Sequence, residues 1–256
     1  MQHLEGLIRK AVQDYEMISP GDRICVGVSG GKDSVALLVG LARVRRYLRI
    51  PFELYAVTLD PQFTGQPTDY SPLEELCAQY EIPYTVRRCD IGRIVFDLRK
   101  ESNPCALCAK MRRGLLHNVA LELGCNKVAL GHHLDDAIET FYMNLWREGR
   151  LGCFSPVTYL SRKQLTMVRP LMLATEAEVS RAVRSAGLPV VKSQCPVDGA
   201  TTRQEMKEFV SGMVHKDPAF RQKMLGALQG NGLDGWAPLH TGRTSSPKET
   251  KHGNDL

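Results

Sequence analysis

The sequence predicts a doubly wound α/β fold built on a mainly parallel five-stranded sheet, with a small helical extension towards its C-terminal end. Two patterns lead to this class. Short apolar runs rich in β-branched residues alternate with longer amphipathic stretches, which implies parallel strands joined by helical crossovers. A tandem-glycine turn directly follows the first apolar run, and in open α/β sheets ligands sit beyond the carboxyl ends of the strands.

Taken in order, Leu4–Tyr15 reads as a helical lead-in, and Ile24–Val28 as a buried strand. A helix is expected over Ser34–Tyr47, a second strand over Phe52–Leu59, a helix over Pro72–Tyr80 and a third strand over Tyr84–Arg88. Cys105–Leu123 forms a long helix, Lys127–Leu130 a short strand and Asp135–Arg147 another helix. Leu165–Val168 is the fifth strand, with a helix over Thr175–Ala186 behind it. From Val191 strand signals stop, and Thr202–Val214 and Asp217–Leu228 read as helices packed on the core. Gly230–Leu256 is rich in Gly, Ser, Thr and Pro and is expected to be disordered. The chain thus divides into a lead-in over 1–20, an α/β domain over 21–190, a helical extension over 191–229 and a tail over 230–256.

Composition excludes a wholly disordered or collagen-like chain: of 256 residues 43% are hydrophobic and 24% charged. The first ten residues mix charge and polarity, so no secretory signal is expected. Val35–Ala42, the longest apolar stretch near a motif, falls far short of the roughly 18 residues a membrane span needs. A soluble, cytoplasmic protein with no membrane partner is expected. The net charge of +5 permits an RNA partner without demonstrating one. Eight cysteines are too few for a disulfide scaffold, and in a reducing compartment their clusters read as metal-binding or catalytic.

Ser29-Gly30-Gly31-Lys32-Asp33-Ser34 lies between the first strand and its helix, where the glycines permit a tight turn and the helix N-terminus offers free amides to an anion. It fits neither a Walker A loop nor the dinucleotide Gly-x-Gly-x-x-Gly pattern. The hexapeptide resembles the signature of the PP-loop, or N-type, ATP pyrophosphatases, which cleave ATP between its α and β phosphates and transfer AMP to a substrate oxygen. The resemblance implies an adenine-nucleotide alpha-hydrolase-like ATPase domain over 21–190, with Ser29, Gly30, Gly31, Lys32, Asp33 and Ser34 holding ATP phosphates and Asp33 near Mg²⁺. It also implies that Asp60, just past the second strand, binds the nucleoside end.

Gly131-His132-His133-Leu134-Asp135-Asp136 follows the fourth strand and opens the next helix. Its paired carboxylates suit Mg²⁺ bound with phosphate oxygens, while either could instead cap the helix. The family likeness assigns Gly131, His132 and Asp135 to the ATP site and leaves His133 open.

Pro104-Cys105-Ala106-Leu107-Cys108 sets two thiols on one face at the start of a helix, which stabilises thiolates. Structural zinc wants four ligands, and no second Cys-x-x-Cys exists. A thioredoxin-type dithiol belongs after the first strand of its fold. A zinc deaminase needs His-x-Glu nearby, and only His3-Leu4-Glu5 offers it. An iron–sulfur cluster fits if Cys195 supplies a third thiolate, leaving one iron open to sulfide or substrate. Cys25, Cys77, Cys89, Cys125 and Cys153 are expected to be packing residues.

The run from Cys105 through Arg112-Arg113-Gly114 to Asp136, with Arg169-Pro170-Leu171 and Arg203-Gln204, is similar to one PP-loop branch, the tRNA 2-thiocytidine synthetases and related cluster-dependent tRNA thiolases. It departs at Cys195-Pro196-Val197-Asp198, where 2-thiocytidine enzymes carry a second Cys-x-x-Cys. The likeness implies an ATP-dependent tRNA sulfurtransferase with ATP, Mg²⁺ and a 4Fe–4S cluster as cofactors. Adenylation of a pyrimidine C2 oxygen, cytidine above uridine, would precede replacement by sulfur. Lys32, Asp33, Asp135, Cys105, Cys108 and Cys195 would be catalytic, the three cysteines would be the cluster ligands, and Arg112 and Arg113 would contact RNA. A sulfur donor (sulfide or a cysteine desulfurase persulfide) and a homodimer are further implied. Two alternatives stay open on the sequence: a lysidine-synthetase-like tRNA ligase, which needs no Cys-x-x-Cys, and a non-enzymatic nucleotide- or redox-sensing iron–sulfur module.

Overall fold

The computed structural model describes residues 1–99, 103–197 and 202–240, the side chains of 202 and 203 excepted. In chain order the elements are α1 (Gln2–Asp14), β1 (Arg23–Gly27), α2 (Lys32–Val44), β2 (Glu53–Asp60), α3 (Ser71–Gln79), β3 (Tyr84–Arg88), α4 (Ile91–Arg93) and α5 (Pro104–Glu122). They continue with β4 (Lys127–Ala129), α6 (Leu134–Glu148), β5 (Val157–Leu160), β6 (Leu165–Val168), α7 (Glu176–Ser185), α8 (Thr202–Lys216) and α9 (Phe220–Gly230). A π-helical turn over Ile94–Arg99 extends α4.

The strands order as β3-β2-β1-β4-β6-β5. β1 pairs parallel with β2 and β4, β2 with β3, and β4 with β6. Ile24, Cys25 and Val26 of β1 are buried on both faces, as a central parallel strand requires, which is why that run reads as continuously apolar. Helix α2 crosses back behind the sheet almost wholly buried, and α1 and α7 pack upon it. Connections leave β1 towards β2 and return from β3 to β4, so the chain reverses direction between β1 and β4 and opens a crevice at their carboxyl ends.

Two expectations are corrected. The sheet has six strands among the described residues: Val157–Leu160 pairs antiparallel with β6 as an edge hairpin. Its partly exposed residues lack the apolar run that marked the buried strands. The segment after Gly230 is ordered as far as His240, whereas 241–256 lie outside the described residues. Trp236 anchors it, fully buried, with its Nε1–H donating to Phe154 O at 3.1 Å and its ring edge-on to Tyr15. Asp234 reinforces the dock by accepting the Cys153 amide at 2.8 Å. Among the described residues no helix is long and apolar enough to cross a membrane.

Large-to-small truncation of a buried tryptophan costs about 3–5 kcal/mol. Trp236→Ala is therefore expected to lower unfolding stability by that amount in urea titrations, and an unchanged midpoint would refute the docking of this segment.

Candidate nucleotide and thiol site

The hexapeptide turn is braced from within. Ser34 Oγ donates to Gly31 O at 2.8 Å and accepts the Ser29 amide at 3.1 Å, which holds the loop open around α2's N-terminus. Gly30 adopts φ +87°, a left-handed conformation that side chains resist, and Val191 seals it from above through Val191 N–H to Gly30 O at 3.0 Å.

Across the crevice, Gly131 meets this loop backbone to backbone. A Cβ there would lie 3.0 Å from the Asp33 carbonyl and 3.1 Å from the Ser34 nitrogen. The N-termini of α2 and α6 therefore approach one volume, where free helix amides favour an anion. Between them and α5 lies a cleft of about 430 Å³, within the ordinary range for a small-molecule site. Ser29, Asp33, Ser34, Gly131, His132 and Asp136 line it on one side, and Arg112, Arg113 and His117 on the other.

The structure sorts the expected residues. Asp33 faces the cleft, and its buried Oδ1 makes no hydrogen bond, with His133 Nε2 3.9 Å away. Asp136, not Asp135, is the second carboxylate of the cleft. Asp135 is turned away: its Oδ2 accepts the Glu176 amide at 2.7 Å and its Oδ1 accepts Arg221 Nε at 2.5 Å. Its expected place in the ATP site is thus corrected to a tie between α6, α7 and α9. His133 caps α6, its Nδ1 accepting the Asp136 amide while Asp136 accepts the His133 amide. His132 lines the cleft with its ring centroid 4.9 Å from that of Phe154.

Asp60 does not line the cleft. Both its carboxylate oxygens accept loop amides, from Gln62 at 3.1 Å and Thr68 at 3.2 Å. Thr64 and Thr68 in turn donate to the Gln194 side chain, one residue before Cys195. Asp60 thus shapes the loop that steadies the third cysteine.

Lys32 is drawn to carboxylates, 3.0 Å from both Asp33 Oδ2 and Glu176 Oε1. Burial alone would lower its pKa, but these carboxylates outweigh it and the ammonium is held charged. Glu176, which sequence reasoning missed, also pairs with Lys207 at 2.8 Å. Burial pushes its pKa up, and the two ammonium groups more than reverse that, bringing it to about 2.

Asn103 caps α5 by accepting the Ala106 amide at 3.1 Å, so Cys105 and Cys108 occupy its opening turns. Burial raises the pKa of the Cys108 thiol; Arg112 opposes this, and the thiols of Cys195, Cys105 and Cys89 reinforce it. Phe63 packs into the cluster that holds Cys108 and Cys89, and the adjoining Thr64 donates to Gln194, so the loop after β2 brings the segment of Cys195 towards the start of α5. Among the described residues no three His, Cys, Asp or Glu side chains stand close enough to hold a single metal ion. A four-iron cluster spreads its thiolates over separate irons, so it does not require the close grouping of a one-ion site, and thiols are the ligands it takes. His117, also missed, is buried with Nε2 unpartnered, and its pKa is lowered by burial and by Arg113 and Lys163, which keeps it neutral. Its single place on α5, one turn beyond Arg113, gave no motif signal.

A phosphate-binding turn at the switch point of a parallel sheet, faced by a second glycine turn carrying carboxylates, defines a nucleotide-binding α/β protein. Residues 2–211 match the PP-loop domain family. A tRNA-cytidine(32) 2-sulfurtransferase of Syntrophotalea carbinolica is 41% identical over 228 residues, covering 88% of this chain and 87% of that protein. The enzyme of the same name from Pelobacter propionicus is 39% identical, covering 89% and 85%. The fold is shared with the U34-tRNA thiolase NcsA of Methanococcus maripaludis, solved with its [4Fe-4S] cluster, at a TM-score of 0.72 and 23% identity, covering 90% of this chain and 76% of that one. The chain belongs to the PP-loop family.

Two outcomes follow. Overpacking a tight contact costs about 1–3 kcal/mol, and about 1.4 kcal/mol is tenfold in affinity. Gly131→Ala should therefore weaken ATP binding about tenfold in calorimetric titration, and unchanged affinity would show that the two turns need not touch. Because its folded pKa is depressed, Glu176 stabilises the protein above the ordinary carboxylate range, and that gain is lost as pH falls towards about 2. The stability deficit of Glu176→Gln against the parent should be largest near neutrality and close as pH drops to that value; a deficit independent of pH would sink the assignment.

Proposed function

We propose that this protein is an ATP-dependent tRNA sulfurtransferase that adenylates a pyrimidine C2 oxygen, cytidine rather than uridine, and replaces it with sulfur. The observation that carries the reading is helix α5. Its opening turns bear Cys105 and Cys108, and the turns that follow present Ala109, Arg112 and Arg113 to the nucleotide cleft. One rigid element thus couples a thiol site to an ATP site. Relatives named for cytidine 32 of tRNA, matched over most of the chain, support the choice of nucleoside.

A C2 carbonyl oxygen leaves poorly, and attaching AMP to it makes it a good leaving group. The loop amides and Ser29 to Ser34 would cradle the phosphates, and Lys32 would exchange a carboxylate partner for a phosphate oxygen. Asp33 and Asp136, facing each other's turn across the cleft, suit Mg²⁺, which binds one or two carboxylates together with phosphates. Catalysis of the adenylation is then positioning and charge stabilisation. Arg112 and Arg113 would hold the target nucleotide and its backbone at the mouth of the cleft. Cys105, Cys108 and Cys195 would hold a 4Fe–4S cluster, which when bound supplies an iron where sulfur waits for C2. Val191, bonded to Gly30, and Gln194, bonded to Thr64 in the loop after β2, would steady the segment that carries Cys195.

The proposal extends to residues 21–190 as the ATPase domain and 191–229 as the extension bringing the third cysteine. It also includes a cytoplasmic homodimer fed by sulfide or a cysteine desulfurase persulfide.

Anaerobic reconstitution of Cys195→Ala is expected to abolish the cluster's visible absorption. The same substitution should abolish 2-thiocytidine in tRNA nucleosides measured by mass spectrometry from a complemented deletion strain. A fully formed cluster in that variant, or thiolated tRNA at parental levels, would overturn the ligand set.

A further inference from the structure

Cys89 looks like a packing residue in the sequence, yet it is only partly buried and sits at the carboxyl rim of the sheet immediately after β3. Its amide donates to Asp60 O at 2.9 Å, and its Sγ approaches the same oxygen at 3.4 Å. It packs in one small cluster with Cys108, Ile91 and Val95. Leu107 and Met111, which flank Cys108 along α5, pack against the same cluster and so set Cys89 beside the opening turns of that helix. The other packing cysteines do not share this setting: Cys25, Cys77 and Cys125 are buried in the main layers, and Cys153 lies under Trp236.

We propose that Cys89 is a fourth, displaceable thiolate ligand of the cluster, closing the iron that Cys105, Cys108 and Cys195 leave open until sulfide arrives. The inference rests on the reading that these three cysteines hold a 4Fe–4S cluster. Ligation forms one iron–sulfur bond and releases the Cys89 proton to water. Hydrosulfide arriving at that iron forms its own bond, the Cys89 bond breaks with its electron pair on the thiolate, and the thiolate takes a proton from water. No electron moves in the exchange.

Geometry explains why this ligand would be the one to yield. Cys105 and Cys108 are fixed in a capped helix, and Cys195 is tethered through Gln194. Cys89 sits at the end of an edge strand, and its thiol already has an alternative partner in the Asp60 carbonyl. Breaking its iron bond leaves no orphaned polar group, since a thiol can return to that oxygen.

The test uses the full chain, reconstituted anaerobically, as the parent, Cys89→Ser and Cys89→Ala, with far-ultraviolet circular dichroism confirming that each variant is folded. An open iron is the one lost on mild oxidation, which leaves a three-iron cluster with its own EPR signal. The parent is expected to resist this conversion, and both variants to convert severalfold more. Adding sodium hydrosulfide to the parent should expose Cys89 to iodoacetamide, seen as loss of protection of that peptide by mass spectrometry, with Cys105, Cys108 and Cys195 still protected. Equal conversion in parent and variants, or a Cys89 that is alkylated at the same rate with and without hydrosulfide, would overturn the inference. A parent that takes up no cluster at all would instead overturn the functional reading beneath it.

Discussion

The structure turns on a backbone contact. The turns after β1 and β4 meet where Gly131 leaves no room for a side chain beside the Asp33 carbonyl, and this fixes how closely α2 and α6 approach. Their N-termini then point into one volume, so the partial positive charges of both helices add where a polyphosphate would lie. The carboxylates of Asp33 and Asp136 enter the same volume from the two turns. A site that binds phosphate together with a divalent cation needs both signs of charge at short range, and the glycine contact supplies the spacing.

Asp60 does comparable work for the thiols. Its carboxylate gathers the loop after β2 through the amides of Gln62 and Thr68, and that loop holds Gln194 beside Cys195. Its carbonyl holds Cys89. One buried residue, 1% exposed, therefore sets the positions of cysteines more than a hundred residues apart. The ties of Asp135 to Arg221 and of Glu176 to Lys207 perform the same service for the C-terminal helices, fastening α8 and α9 to the rim of the α/β domain.

The fold and the two glycine turns were legible in the sequence because their signals are local. Buried parallel strands read as apolar runs, and a phosphate-binding turn is a contiguous string whose chemistry needs no distant partner. What escaped is set by contacts across the chain. Val157–Leu160 is a strand only because β6 pairs with it, and Trp236 is ordered only because Tyr15 and the loop around Cys153 receive it. Asp135 and Asp136 are indistinguishable as letters, and the side of α6 each occupies decides that one faces the cleft and the other binds Arg221. Cys89 does pack, in a small cluster, but nothing in Arg88-Cys89-Asp90 tells that Cys108 is the neighbour it packs against.

Arg112 joins the two halves of the site. It lines the nucleotide cleft, and its charge also reaches Cys108 and Cys89. A guanidinium stays protonated throughout, so it attracts every anion near it at once. Thiolates formed on one side and phosphates bound on the other would both be attracted to it, in a partly desolvated setting where charge interactions are several times stronger than in water. Nucleotide in the cleft would bring its own negative charge near the thiols and so oppose the thiolate forms that Arg112 favours. Electrostatic coupling of that kind needs no moving domain, because it follows from placing one arginine a single helical turn beyond the second cysteine of a Cys-x-x-Cys.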